Sequence, residues 1–131
     1  LDVLEHIADD AGELRSAAGH LRPGGNLIVL APAHQWLYSP FDHAIGHHRR
    51  YSRHSLHAVG PPELSLVSMR YLDSAGLIAS LGNRFVLGQS MPKAEQLRFW
   101  DACLVPLSRA LDPLLGFRAG KSIFAVWRRG A

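Results

Sequence analysis

Between Gly46 and His57 the chain reads GHHRRYSRHSLH, which puts four histidines, three arginines and a tyrosine into twelve residues. Each type offers a different chemistry. Imidazoles bind divalent metals and move protons near neutral pH. Guanidiniums grip the paired oxygens of carboxylates and phosphates. The spacings His43-x3-His47, His47-His48 and His54-x2-His57 are fragments of metal-ligand patterns. A zinc centre, however, needs three or four converging ligands with supporting partners. No cysteine lies nearby and Arg49 and Arg50 oppose a divalent cation, so no metal is expected. Nucleic acid would favour aromatics alternating with basic residues. Trp36, Tyr38 and Phe41 do not alternate in that way, which argues against it. What remains is an anionic or polar small molecule held by His47, Arg49, Arg50 and Tyr51, with Trp36 and Tyr38 as an apolar wall. The competing reading is that Arg49 and Arg50 pair with Asp42 or Glu63 and only brace the loop.

The flanking elements say where this stretch must sit. IADDAGELRSAAGHL, Ile7 to Leu21, has apolar residues at helical spacing, with Asp10 and Glu13 set for a capping box. Arg22-Pro23-Gly24-Gly25 stops it, and NLIVLAP follows, a run apolar on both faces as in a strand buried within a parallel sheet. The irregular segment to Tyr51 therefore leaves the C-terminal end of a strand, where open α/β sheets bind ligands. Ser52 caps a short helix ended by Gly60-Pro61-Pro62. Glu63 to Asp73 and Lys121 to Arg129 read as two further strands. Between them, Ser74 to Gly120 is too long for a turn. It contains an amphipathic helix, AEQLRFWDACLVPLSRALDPLLG, whose apolar side is Leu97, Trp100, Leu104, Leu107, Leu111 and Leu114. That side is expected to pack on its own domain, with a lid or a membrane-surface helix as alternatives.

Bulk properties fit one globular α/β domain spanning residues 1–131 or part of one: 47% hydrophobic and 19% charged residues, net charge +3. No apolar run approaches a transmembrane span. A single cysteine, Cys103, and no basic leader suggest a cytoplasmic setting, with a membrane-peripheral position as the variant. The absence of an initial methionine reads as a fragment whose buried-type strand lacks a neighbour, hence an expectation of self-association through an unpaired sheet edge.

At LDVLEHIADD, LRPGGNLIVLAPA and GHHRRYS the sequence resembles the class I S-adenosylmethionine-dependent methyltransferases. The resemblance runs in order along the chain, with its nearest motif matches in the first sixty residues. It implies a Rossmann-like sheet of which this chain is the C-terminal half, strands five to seven, the last antiparallel and inserted beside the fifth. Residues 74–120 would be a helical insertion. It further implies that Asp2, Val3 and Leu4 line the methionine end of S-adenosylmethionine and that Glu5 and His6 lie at the crevice mouth, Glu5 toward the acceptor. From that position His6 could take a proton from a hydroxyl acceptor. The acceptor would be a small amphipathic or anionic molecule. The glycine-rich cofactor loop has no counterpart here: Gly24-Gly25 precedes a strand instead of following one. The chain as it stands is therefore expected to be inactive alone. The alternatives are a non-catalytic interaction or pseudo-enzyme module, and a nucleic-acid methyltransferase.

Overall fold

The computed structural model describes residues 3–82 and 94–131. Asp2, one of the expected cofactor-lining residues, lies outside them. A single 3-10 turn, Leu4–His6, leads to helix α1, Asp10–Gly19. The cap is one residue earlier than the sequence pattern suggests: Asp9 accepts from the Gly12 N–H. Asp10 is turned inward and used elsewhere. Gly24 takes the left-handed φ of +76° that the exit turn needs, and its N–H donates to the carbonyls of Arg129 and Gly130. Arg129 also donates to the carbonyls of Ala18 and Leu21, closing the C-terminal end of α1.

Among the described residues three strands form one open sheet: β1 (Asn26–Pro32), β2 (Leu64–Leu72) and β3 (Ser122–Arg129), in the order β1-β3-β2. β3 runs antiparallel to both neighbours, with Val29 opposite Ala125 and Met69 opposite Ala125 on the other side. β1 and β2 are thus parallel to each other, and the last strand is antiparallel and beside β1, as the sequence reading expected. A bulge between Leu66 and Ser68 leaves Val67 53% exposed on β2.

One face of this sheet makes the core. Leu27, Val29 and Ala31 of β1 and Ile123, Ala125 and Trp127 of β3 pack with Leu14 and Ala18 of α1. Leu56 from helix α3 (Arg53–Val59), Leu4 and Tyr51 complete it. Burial on both faces of β1, expected from its composition, is not what the chain builds. Burial alternates along the strand, and Ile28 is 48% exposed. β-formers on the open face raise the apolar run without adding to the core.

Among the described residues between β2 and β3 are helices α4 (Ser74–Gly82) and α5 (Ala94–Phe99), a π-helical stretch (Trp100–Leu104) and α6 (Val105–Leu114). Its expected apolar side is only partly buried, with Leu104 and Leu111 half-buried. The buried residues of α6 are Ser108 and Asp112, while Leu107 is 49% and Leu114 81% exposed. The cause lies in α4. Its first N–H groups need acceptors, and Asp112 takes those of Asp73 and Ser74 while the Ser108 hydroxyl takes that of Ala75. Trp100 is half-buried and Leu97 lies outside the residues whose side chains are described.

Gly120 is buried where β3 begins, and a Cβ there would run into the backbone carbonyl of Leu72. Gly120→Ala is expected to lower stability by about 2 kcal/mol, read as a shift in the urea midpoint with unchanged m-value.

Candidate functional site

The loop after β1 folds back on the strand it leaves. Tyr51 donates its N–H to the Pro32 carbonyl and accepts at its own carbonyl from His34, a parallel bridge between Ala33 and Tyr51. Between these points the chain makes a 3-10 turn (Gln35–Leu37) and a one-turn helix, α2 (Pro40–Ala44), started by Ser39 and Asp42 acting as a capping box.

Asp42 is the hub of the loop. It is fully buried. It accepts from Arg50 Nε at 3.0 Å and Nη2 at 3.1 Å, from the Ser39 N–H at 2.9 Å and hydroxyl at 3.0 Å, and pairs with His47 Nδ1 at 2.9 Å. Burial alone would push its carboxyl up. The hydrogen bonds from Arg50 and His47, with the charge of Arg50, outweigh burial and hold it below the usual carboxylate range.

A second buried acid ties the loop to α1. Tyr51 is 1% exposed and its hydroxyl donates to Asp10 Oδ2 at 2.8 Å. Arg49 Nη1 pairs with the same oxygen at 2.6 Å and its Nη2 donates to the Ala8 carbonyl. Burial opposes ionisation of Asp10, but the Tyr51 bond and the Arg49 bond and charge lower its pKa. Burial, with the Asp10 carboxylate beside it, pushes the Tyr51 hydroxyl well above its ordinary value.

These contacts decide which expected binding residues remain open to a ligand. Arg49, Arg50 and Tyr51 are committed to internal acids, Arg50 to the Asp42 that the bracing alternative named. Tyr38 donates its hydroxyl to the His47 carbonyl at 2.6 Å and is half-buried. Leu4 is fully buried in the core, and Val3 is 47% exposed. Trp36 is 51% exposed.

The residues that do converge are Glu5, His6 and His47. The His48 N–H donates to the Glu5 carbonyl at 2.7 Å and clamps the loop onto the Leu4–His6 turn. His47 Nε2 then stands 3.6 Å from Glu5 Oε1, and the His6 and His47 rings meet edge to face with centroids 4.6 Å apart. His6 Nδ1 is 3.2 Å from the Gly46 carbonyl, to which it must donate, since a carbonyl only accepts. Glu5 is buried, and its Oε2 has no hydrogen-bond partner among the described residues. His54 and His57 belong elsewhere, with Arg53, Leu66, Val67 and Met69 along an open groove between α3 and β2.

One residue with chemical potential was read in the sequence only as the start of a strand. Lys121 lies where β1 and β2 end and β3 begins, its Nζ 3.8 Å from the centre of the Trp100 ring. Burial lowers its pKa to about 8, aided by the charge of Arg50 and opposed by Asp73 and Asp42. Nearby, His34 adopts a left-handed φ of +66°, holds the Gly120 carbonyl through Nε2 at 2.9 Å and stacks on Tyr71. The sequence signal was modest: a lysine following a glycine just before an apolar run.

No protein-family model and no curated protein sequence matches this chain.

Two outcomes follow from the buried acids. Asp42→Ala leaves the Arg50 guanidinium, whose side chain is 9% exposed, without its partner. The substitution is expected to cost about 3–5 kcal/mol, and Asp42→Ala with Arg50→Met less than the sum of the two single changes. For Asp10 the folded pKa is depressed, so its contribution is complete above the unfolded value of about 4 and lost as pH falls through the lower folded value. Asp10→Asn should therefore lower the urea midpoint at pH 7, and the difference from the unsubstituted protein should shrink at about pH 3.

Proposed function

We propose that this chain forms the acceptor-side half of an S-adenosylmethionine-dependent methyltransferase with a Rossmann-like sheet. The observation that carries the reading is the docking of the post-β1 loop onto the Leu4–Glu5–His6 turn, at the C-terminal end of β1. That end of an open α/β sheet is where ligands are bound. The strand order, with β3 antiparallel between two mutually parallel strands, supports the same reading.

In this proposal the cofactor, when bound, would supply an electrophilic methyl group, and the exposed Val3 would line its methionine end. Methyl transfer is an in-line displacement, so the protein's main task is alignment, with proton removal where the acceptor is a hydroxyl. His6 is the exposed member of the Glu5–His6–His47 cluster, and with Nδ1 donating to Gly46 its Nε2 is left to accept a proton. Trp36 offers an apolar wall. The amine of Lys121, at the ends of β1 and β2, attracts an anionic group when protonated. The acceptor is accordingly a small molecule with an apolar body and an acidic group.

The test uses the natural full-length protein, radiolabelled S-adenosylmethionine and a panel of long-chain and aromatic acids with their neutral amides. Transfer to the acids, weakened at least about tenfold in kcat/KM by His6→Asn and in KM by Trp36→Ala, is expected. Absence of cofactor binding by the full-length protein would remove the reading.

A further inference from the structure

The geometry points to a divalent transition-metal site formed by Glu5, His6 and His47, an inference that stands apart from methyl transfer. One ligand atom from each of the three residues lies within 4.8 Å of the other two. The pair Glu5 Oε1 and His47 Nε2, at 3.6 Å, is near the edge of about 3.4 Å expected for a tetrahedron with metal bonds of 2.0–2.1 Å.

Both histidines are set as ligands by what holds their other nitrogen. The carboxylate of Asp42 accepts the Nδ1 proton of His47. The Gly46 carbonyl accepts the Nδ1 proton of His6. A neutral imidazole held in this way keeps Nε2 for a metal. A carboxylate or carbonyl behind an imidazole is the usual support for a metal-bound histidine, fixing the tautomer and raising the ring's basicity.

The independent observation is Glu5. Its residue exposure is 6%, yet Oε2 is buried with no hydrogen-bond partner among the described residues. Its other oxygen stands 3.6 Å from His47 Nε2, too far for a direct hydrogen bond. A buried carboxylate with one oxygen left without a hydrogen bond is an arrangement that a bound cation relieves. The arginines that opposed a metal in the sequence are both neutralised, Arg49 by Asp10 and Arg50 by Asp42.

Two imidazoles and one carboxylate suit zinc or ferrous iron better than magnesium or calcium, which prefer oxygen ligands. Three protein ligands leave at least one position open, on the side where His6 is exposed. A hydroxyl bound there would lose its proton more easily. The ion would then do what the His6 lone pair does without it.

The experiment is titration of the metal-free protein with Co2+, followed by its visible spectrum, and competition by Zn2+. One equivalent should bind, with a nitrogen–oxygen ligand spectrum and no thiolate charge-transfer band. Glu5→Gln and His47→Asn, each checked for folding by circular dichroism, should weaken binding at least about tenfold. His54→Asn with His57→Asn should leave it unchanged. Lack of stoichiometric binding would overturn the site. So would a thiolate band, which assigns the ion to Cys103, or binding that survives Glu5→Gln but disappears with the His54 and His57 changes. Because cobalt binding is read without cofactor or acceptor, its failure is distinguishable from failure of the methyltransferase reading.

Discussion

The buried carboxylate of Asp42 is the constraint on which the rest of this end of the molecule depends. A charge with no solvent contact has to be neutralised and hydrogen-bonded. Arg50 supplies the charge, and Arg50, Ser39 and His47 supply the bonds. Those three partners come from three points of one irregular loop. Satisfying Asp42 therefore sets the shape of a segment that has almost no regular secondary structure. His47 is delivered to Glu5 as a result.

Asp10 repeats the principle between elements. By engaging Tyr51 and Arg49 it fixes α1 against the loop, and the Tyr51 ring fills the core beneath. The Leu4–His6 turn is caught between these two anchored pieces. Its leucine is in the core and its glutamate and histidine are held at the loop. Adjacent Arg49 and Arg50 thus serve two different acids on two sides of one backbone segment, and neither is left to greet a ligand.

Much of the framework was legible in the sequence because local signals sufficed. Ser52 announced α3, the glycine pair announced the exit from α1, and the apolar run of Asn26 to Pro32 announced β1. The last strand's direction followed from the resemblance. What escaped needed information from distant residues. Asp10 looks like a cap, and only Tyr51, 41 positions later, shows why Asp9 takes that task. The apolar side of α6 looked like its packing face, but the unpaired N–H groups at the start of α4 outbid it with Ser108 and Asp112. In the site, the arginines of the GHHRRYSRHSLH stretch looked like ligand-binding groups, but they pair with internal acids. His47 joins Glu5 and His6 from the other end of the local chain, while His54 and His57 face a different groove.

The position of β3 has a consequence for how the molecule is made. β1 and β2 pair with β3 and not with each other, so both described ladders await the last of these three strands to leave the ribosome. Asn26 meets Arg128 across almost the whole chain. Helices α1 and α3 can form early from local contacts, but these ladders close only once β3 has been made, across contacts whose loop-closure entropy is high. Until then two apolar strands wait without their shared partner, and that interval is when this chain is most exposed to mispairing and most in need of a chaperone.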